Sequence, residues 1–188
     1  MAVTEQVKLA ARELARTWGV RPQVHRYWDE AEAHWVGVAS CPDSPVEGVT
    51  AVGTLGLSEH DLGLGRVRVE IVGAFAASFG HGANVAATCA LNAFKDGQPV
   101  APDSIQRDVL MDYLPTAPLP HILFVDPFLW PDGPHTVDAG DTKIAWVMMV
   151  PISESERLFA LSMGAGALTD RFEQSQIDIF DLARASVI

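Results

Sequence analysis

Apolar and polar positions change period several times along the chain. Behind Thr4, the residues Val7, Ala10 or Ala11, Leu14 and Trp18 recur at helical spacing, and Glu5, Lys8, Arg12, Glu13 and Arg16 fill the other side. Gly19 and Pro22 follow as stop signals, so a first helix is predicted between Thr4 and Gly19. The segments QVHRYW, HWVGVA, GVTAVGTLGLS and RVRVEIV then read as a four-stranded meander, with CPDSPVEG as a turn-rich loop. RVRVEIV alternates strictly. Val67, Val69 and Ile71 share one face, and Arg66, Arg68 and Glu70 share the other. That pattern predicts a half-exposed antiparallel strand, with Glu70 pairing a cross-strand cation. GAFAASFGHGANVAATCALNAF reads as a loop entering a second helix, capped by Asn84. DSIQRDVLMDYLP fits a helix or an extended segment, LPHILFV a strand, and DPFLWPDGPHTVDAGD a long proline-rich loop.

The last third carries the clearest pattern. Lys143 to Val150 is almost uninterruptedly apolar and about one strand long, which predicts a strand buried on both faces and ended by Pro151. Ser153 and Glu156 have the S-x-x-E spacing of a capping box. Leu158, Leu161, Ala165, Leu168 and Phe172 then mark one helical stripe, facing the preceding strand. Ile177, Ile179 and Leu182 predict a final extended segment. Strands and helices do not alternate regularly, so the fold class is α+β, over one domain spanning residues 1–188.

Composition narrows the function. The chain has 188 residues, 48% hydrophobic and 20% charged, enough to bury a sizeable core. No apolar run reaches the roughly 18–20 residues of a membrane helix. The N-terminus lacks the basic-then-apolar plan of a signal peptide, so a cytoplasmic protein with two reduced thiols, Cys41 and Cys89, is expected. The net charge of −11 repels phosphate backbones and argues against nucleic acid as a ligand. It serves solubility, or it steers the chain towards a basic partner.

Candidate chemistry is sparse. The six histidines, His25, His34, His60, His81, His121 and His135, form none of the local metal-ligand spacings, so neither metal nor cofactor is expected. Ser78 to Asn84, SFGHGAN, is the most site-like string, because glycines beside His81 permit close approach of a ligand. It lacks the G-x-S-x-G elbow and the phosphate-loop pattern, so it also fits a plain helix entry. In DPFLWPDGPH, Phe128 and Trp130 stand beside Asp126 and Asp132 on a proline-stiffened loop. Trp130 either anchors a partner or folds back over the core. The carboxylate pairs Asp29/Glu30, Asp138/Asp141 and Asp178/Asp181 read as solvated charge. Phe128, Trp130, Asp132 and His81 are the candidate partner-binding residues.

PIS-E-SER-LFA, the glycine-bearing helix after it, and ID-I-FDLARASV together resemble the C-terminal signature of the suppressor-of-fused domain family. DPFLWPDG and IAWVMMVPI fit the same pattern, and the resemblance is strongest from Leu119 onward. It implies a mixed, largely antiparallel sheet packed with helices, an extended DSIQRDVLMDYLP segment, and no catalytic residue set. Animal members of the family grip an extended peptide of a transcription factor as an added strand. Bacterial single-domain members resemble immunity proteins of toxin systems. The resemblance therefore implies a protein-binding domain whose partner is a basic toxin or a peptide added as a strand. Two alternatives from other classes remain. One is a small enzyme using His81 or His121 with a carboxylate; the other is a protein that holds a small ligand in an apolar pocket under the long loop.

Overall fold

A computed structural model describes residues 3–188; Met1 and Ala2, the start of the N-terminal stretch read above, lie outside the described residues. Helix α1, Glu5–Trp18, begins at Thr4, whose side chain accepts from the Val7 amide, and stops at left-handed Gly19. Its buried stripe is Val7, Ala10, Leu14 and Trp18, as the spacing predicts. The meander follows as β1 (Gln23–Trp28), β2 (Trp35–Pro42), β3 (Val49–Leu55) and β4 (Val67–Ala76), each antiparallel to the one before.

Helix α2, Gly82–Asp96, comes next, then the short β5 (Ile105–Gln106), β6 (His121–Val125), β7 (Val137–Ala139) and β8 (Thr142–Ile152). Two helices, α3 (Glu154–Met163) and α4 (Ala165–Ser175), precede the C-terminal tail. The strands make one mixed sheet in the order β1-β2-β3-β4-β8-β6-β5, with β7 also on β8. This is an α+β fold, mostly antiparallel; the β4–β8 pair is parallel.

β8 is central because it is apolar on both faces. Ile144, Trp146, Met148, Val150 and Ile152 join α1, α3 and α4 in one core, while Val147 and Met149 join α2 in the other. Each fully buried aliphatic side chain of this kind contributes about 2 kcal/mol. The two cysteines fall on opposite sides of the sheet, Cys41 in the first core and Cys89 in the second, and both thiols are free.

Five local expectations are corrected. Pro151 does not end β8. The strand runs on to Ile152 against β6, and its pairing with β4 stops at Met148, so Pro151 sits where the strand has only one neighbour. The stripe from Leu158 to Phe172 is not one helix, because Gly164, at φ 92° and ψ 150°, breaks it. Ala165, Leu168 and Phe172 are buried, but Leu158 and Leu161 are exposed; α3 turns Glu156 and Ala160 inward instead. The capping box of Ser153 and Glu156 is present. The tail is not extended, because Asp178 accepts from the Phe180 amide and Asp181 from the Ala183 amide, which folds it into successive turns. Asn84 does not cap α2; His81 holds that position and makes no side-chain cap bond.

The fifth concerns β4, which is buried on both faces rather than half-exposed. Glu70 is fully buried and, among the described residues, meets neutral donors rather than a cation. Its Oε2 accepts from the Thr54 hydroxyl at 2.6 Å, and its Oε1 accepts from the Gly56 amide and from the amide and hydroxyl of Ser58. Burial raises its pKa, and the four donors oppose that rise. The DSIQRDVLMDYLP segment is divided: two residues are extended in β5, and Val109–Asp112 form a short 3-10 turn.

Candidate functional site

The segment between β4 and α2 turns sharply, and the turn sets up an aromatic row. Gly82 lets the backbone pass so close to Phe75 that a Cβ there would lie 2.6 Å from the ring. Phe75 and Phe79 have centroids 5.6 Å apart, Phe79 meets His81 edge-on at 5.7 Å, and His81 lies nearly parallel to Tyr113 at 5.7 Å. Tyr113 is fixed from behind, its hydroxyl sharing a 2.6 Å hydrogen bond with Thr88. The C-terminal tail contributes Asp178, Phe180 and Asp181 beside the row. Together they line a cleft of about 940 Å³, open to solvent, with no lysine or arginine in its lining.

The tail is held by a buried ion pair. Arg184 donates to Glu156 Oε1 at 2.7 Å and Oε2 at 3.0 Å, and also to the Pro151 carbonyl. Its guanidinium lies 5.1 Å from the centre of the Phe172 ring. Glu156 also accepts from the Ser153 and Val187 amides. Burial would push Glu156 up, but the Arg184 bonds and the two amides outweigh it and hold the carboxyl below its ordinary value. The capping glutamate of α3 therefore also anchors the tail that walls the cleft.

The four candidate residues do not converge. His81 is exposed and lines the cleft. Trp130 is only 7% exposed; it packs on Trp18 with centroids 6.3 Å apart and donates its indole N–H to the Ser44 hydroxyl at 3.2 Å. It covers the core. Asp132 offers its backbone carbonyl to Arg16 at 2.6 Å, which fastens the long loop to α1. Phe128 is 59% exposed and rims a separate hollow of about 440 Å³, floored by Val125, Val150 and Phe172. An apolar hollow beside the long loop is therefore present. In sequence Tyr113 and Phe180 carry no functional signal, and Asp178 and Asp181 read as solvated charge. The tail fold that brings them to His81 leaves no local spacing to read.

The enzyme alternative meets a satisfied histidine. His121 is buried; its Nδ1 accepts from the Asp108 amide at 3.0 Å, so its Nε2 donates to Glu154 at 2.7 Å. Arg157 on the other side of Glu154, helped by His121, brings that carboxyl down to about 2. These bonds tie β6 to α3 and consume the polar atoms of the ring. Among the described residues, no group of three or more histidines, cysteines or acids is placed to hold a metal, and no helix is long and apolar enough to cross a membrane.

One sheet edge is open. Among the described residues the outer side of β1 has no strand partner, and Val24 and Trp28 on it are about half exposed. Trp28 packs against Trp35, over which the Arg26 guanidinium sits at 4.5 Å.

Comparison with known proteins gives three kinds of likeness. The family model described as suppressor of fused protein matches residues 32–185. The immunity protein YqcF of Bacillus subtilis strain 168 is 36% identical over 192 residues, covering 100% of both chains. Among solved structures, a putative suppressor-of-fused homologue of Neisseria gonorrhoeae superposes with a TM-score of 0.68 at 14% identity, over 98% of this chain and 97% of that one. The structure of a Sufu–Fu complex gives 0.69 at 14% identity, over 97% of this chain and 92% of the other. Drosophila Suppressor of Fused gives 0.68 at 12% identity, this chain matching 51% of its length. The match over most of the sequence, with the eight-stranded mixed sheet behind it, establishes that the chain belongs to the suppressor of fused protein family.

Proposed function

We propose that this chain is a non-enzymatic protein-binding domain of the immunity type, which neutralises a basic toxin by docking it on an acidic, aromatic-bearing face. The observation that carries the reading is the cleft beside His81, walled by aromatic rings and by Asp178 and Asp181, with no lysine or arginine in its lining. A chain of net charge −11 attracts a basic partner from a distance, and such a cleft gives the partner's cations a place to arrive. The full-length likeness to a protein named for immunity supports the same role.

The test is growth of cells that make the protein encoded beside this chain's gene. Restored growth when this chain is co-expressed, with the two proteins co-purifying, is the expected result. No protection and no complex would remove the immunity role. Saturable turnover of an ester, nucleotide or glycan would replace it with an enzymatic one.

Strand addition at β1 is the second reading, favoured by its unpaired edge. It is separable by amide exchange in the complex. Protection gained along Gln23–Trp28 supports addition, and protection gained around Ser78–Asn84 and the tail supports the cleft.

A further inference from the structure

The cleft beside His81 has the chemistry to select one kind of cation. We infer that it receives the guanidinium of an arginine side chain of the partner; the inference rests on the partner-binding reading and names the group that is recognised. Guanidinium is flat. It stacks on aromatic faces and offers paired N–H donors to carboxylates, whereas an ammonium is a compact, more strongly hydrated point charge.

The cleft supplies both features on fixed supports. One wall is the row Phe79, His81 and Tyr113, in which His81 and Tyr113 stand 24° from parallel and Tyr113 is tethered to Thr88. The tail adds Asp178 and Asp181 to the same lining. Each uses Oδ1 to accept a backbone amide two residues on, at 2.9 and 2.8 Å, so each carboxylate is already oriented with Oδ2 left over. Neither has an ion-pair partner among the described residues, although many of the chain's other acids do. Arg184, the nearest arginine in sequence, is committed to Glu156 and buried. Two carboxylates without a cation, in one cleft with a row of rings, match an incoming arginine in charge and in chemistry.

The experiment titrates isotope-labelled full-length protein with acetyl-Gly-Arg-Gly-amide, and separately with the lysine and citrulline peptides, following amide resonances. The expected shifts are confined to Ser78–Asn84, Tyr113–Leu114 and Asp178–Ala183. The citrulline peptide, isosteric but neutral, is expected to bind about tenfold more weakly than the arginine peptide, and lysine about threefold more weakly. The double variant D178N/D181N keeps the turn-forming oxygens and removes the charge. It is expected to weaken the arginine peptide about tenfold while leaving resonances elsewhere in place. Shifts scattered over the acidic surface, or equal binding of arginine and citrulline, would overturn the assignment.

A partner complex that D178N/D181N leaves undiminished would also overturn it, while the binding role stands. Wild-type protein that binds the arginine peptide in the cleft, yet neither binds nor neutralises its neighbour's product, would instead sink the role and leave the cleft chemistry intact.

Discussion

Glu70 shows how a single residue can be read on the right face and given the wrong environment. The alternation of RVRVEIV places it opposite Val69 and Ile71, and the structure agrees. Local sequence does not say that α1 and the turn after β3 close over that face. Four hydrogen-bond donors, none a cation, converge on the carboxylate there. E70A strands those donors in the core and is expected to lower stability by about 4 kcal/mol in denaturant titration. E70Q is isosteric, and the Thr54 hydroxyl can turn to the Ile71 carbonyl, 3.5 Å away, so it is expected to be far milder. Because burial raises the folded-state pKa of Glu70, its carboxyl contributes most below the ordinary value of 4.5, and that contribution is lost as pH rises through the folded value. The stability of E70Q relative to wild type should therefore climb as pH rises past the ordinary carboxylate range. A pH-independent difference would count against this picture. Gly82 makes a second residue-scale case. G82A drives a methyl into the Phe75 ring and is expected to cost about 1–3 kcal/mol in the same assay, with altered resonances at Phe79 and His81.

At the scale of elements, what was legible had a local cause. The Thr4 cap and Gly19 stop of α1 and the capping box of α3 rest on contacts within a few residues, and the meander only pairs each strand with the next one in sequence. What was not legible depended on distant partners. The stripe through Leu158 and Leu161 failed because α3 spends its buried face on Glu156, whose partner Arg184 lies 28 residues on. The tail's apolar alternation gave way to two aspartate turns and the pull of that same arginine. Trp130 became core because Trp18, from the first helix, lies beside it. R184A leaves Glu156 buried without its counter-charge, and a loss of about 3–5 kcal/mol is expected in thermal or denaturant unfolding. Limited proteolysis should then cut within residues 177–188 first. A tail that stays protected in R184A would mean that Ile177, Phe180 and Leu182 hold it by packing alone. Glu156 is held below its ordinary value, so this tether is complete above that value and weakens as pH falls through the depressed one.

For the whole molecule, the −11 charge becomes specific only through the fold. The parallel β4–β8 pair joins the meander to the C-terminal half of the sheet, and Asp178 and Asp181 come to share one cleft with an aromatic row. His81 stands out in the sequence because its flanking glycines permit close approach of a ligand; its partners in the cleft include Tyr113, Asp178 and Asp181, which only the assembled chain brings near. The same electrostatics makes association salt-dependent, because exposed charges are screened beyond about 8 Å at physiological ionic strength.

The most direct measurement is the affinity of wild-type and D178N/D181N protein for the product of the neighbouring gene, taken across a salt series. The expected result is a one-to-one complex that weakens about tenfold between about 50 and 300 mM salt and about tenfold again on loss of the two carboxylates. An affinity indifferent to both salt and substitution would contradict docking of a basic partner in the cleft.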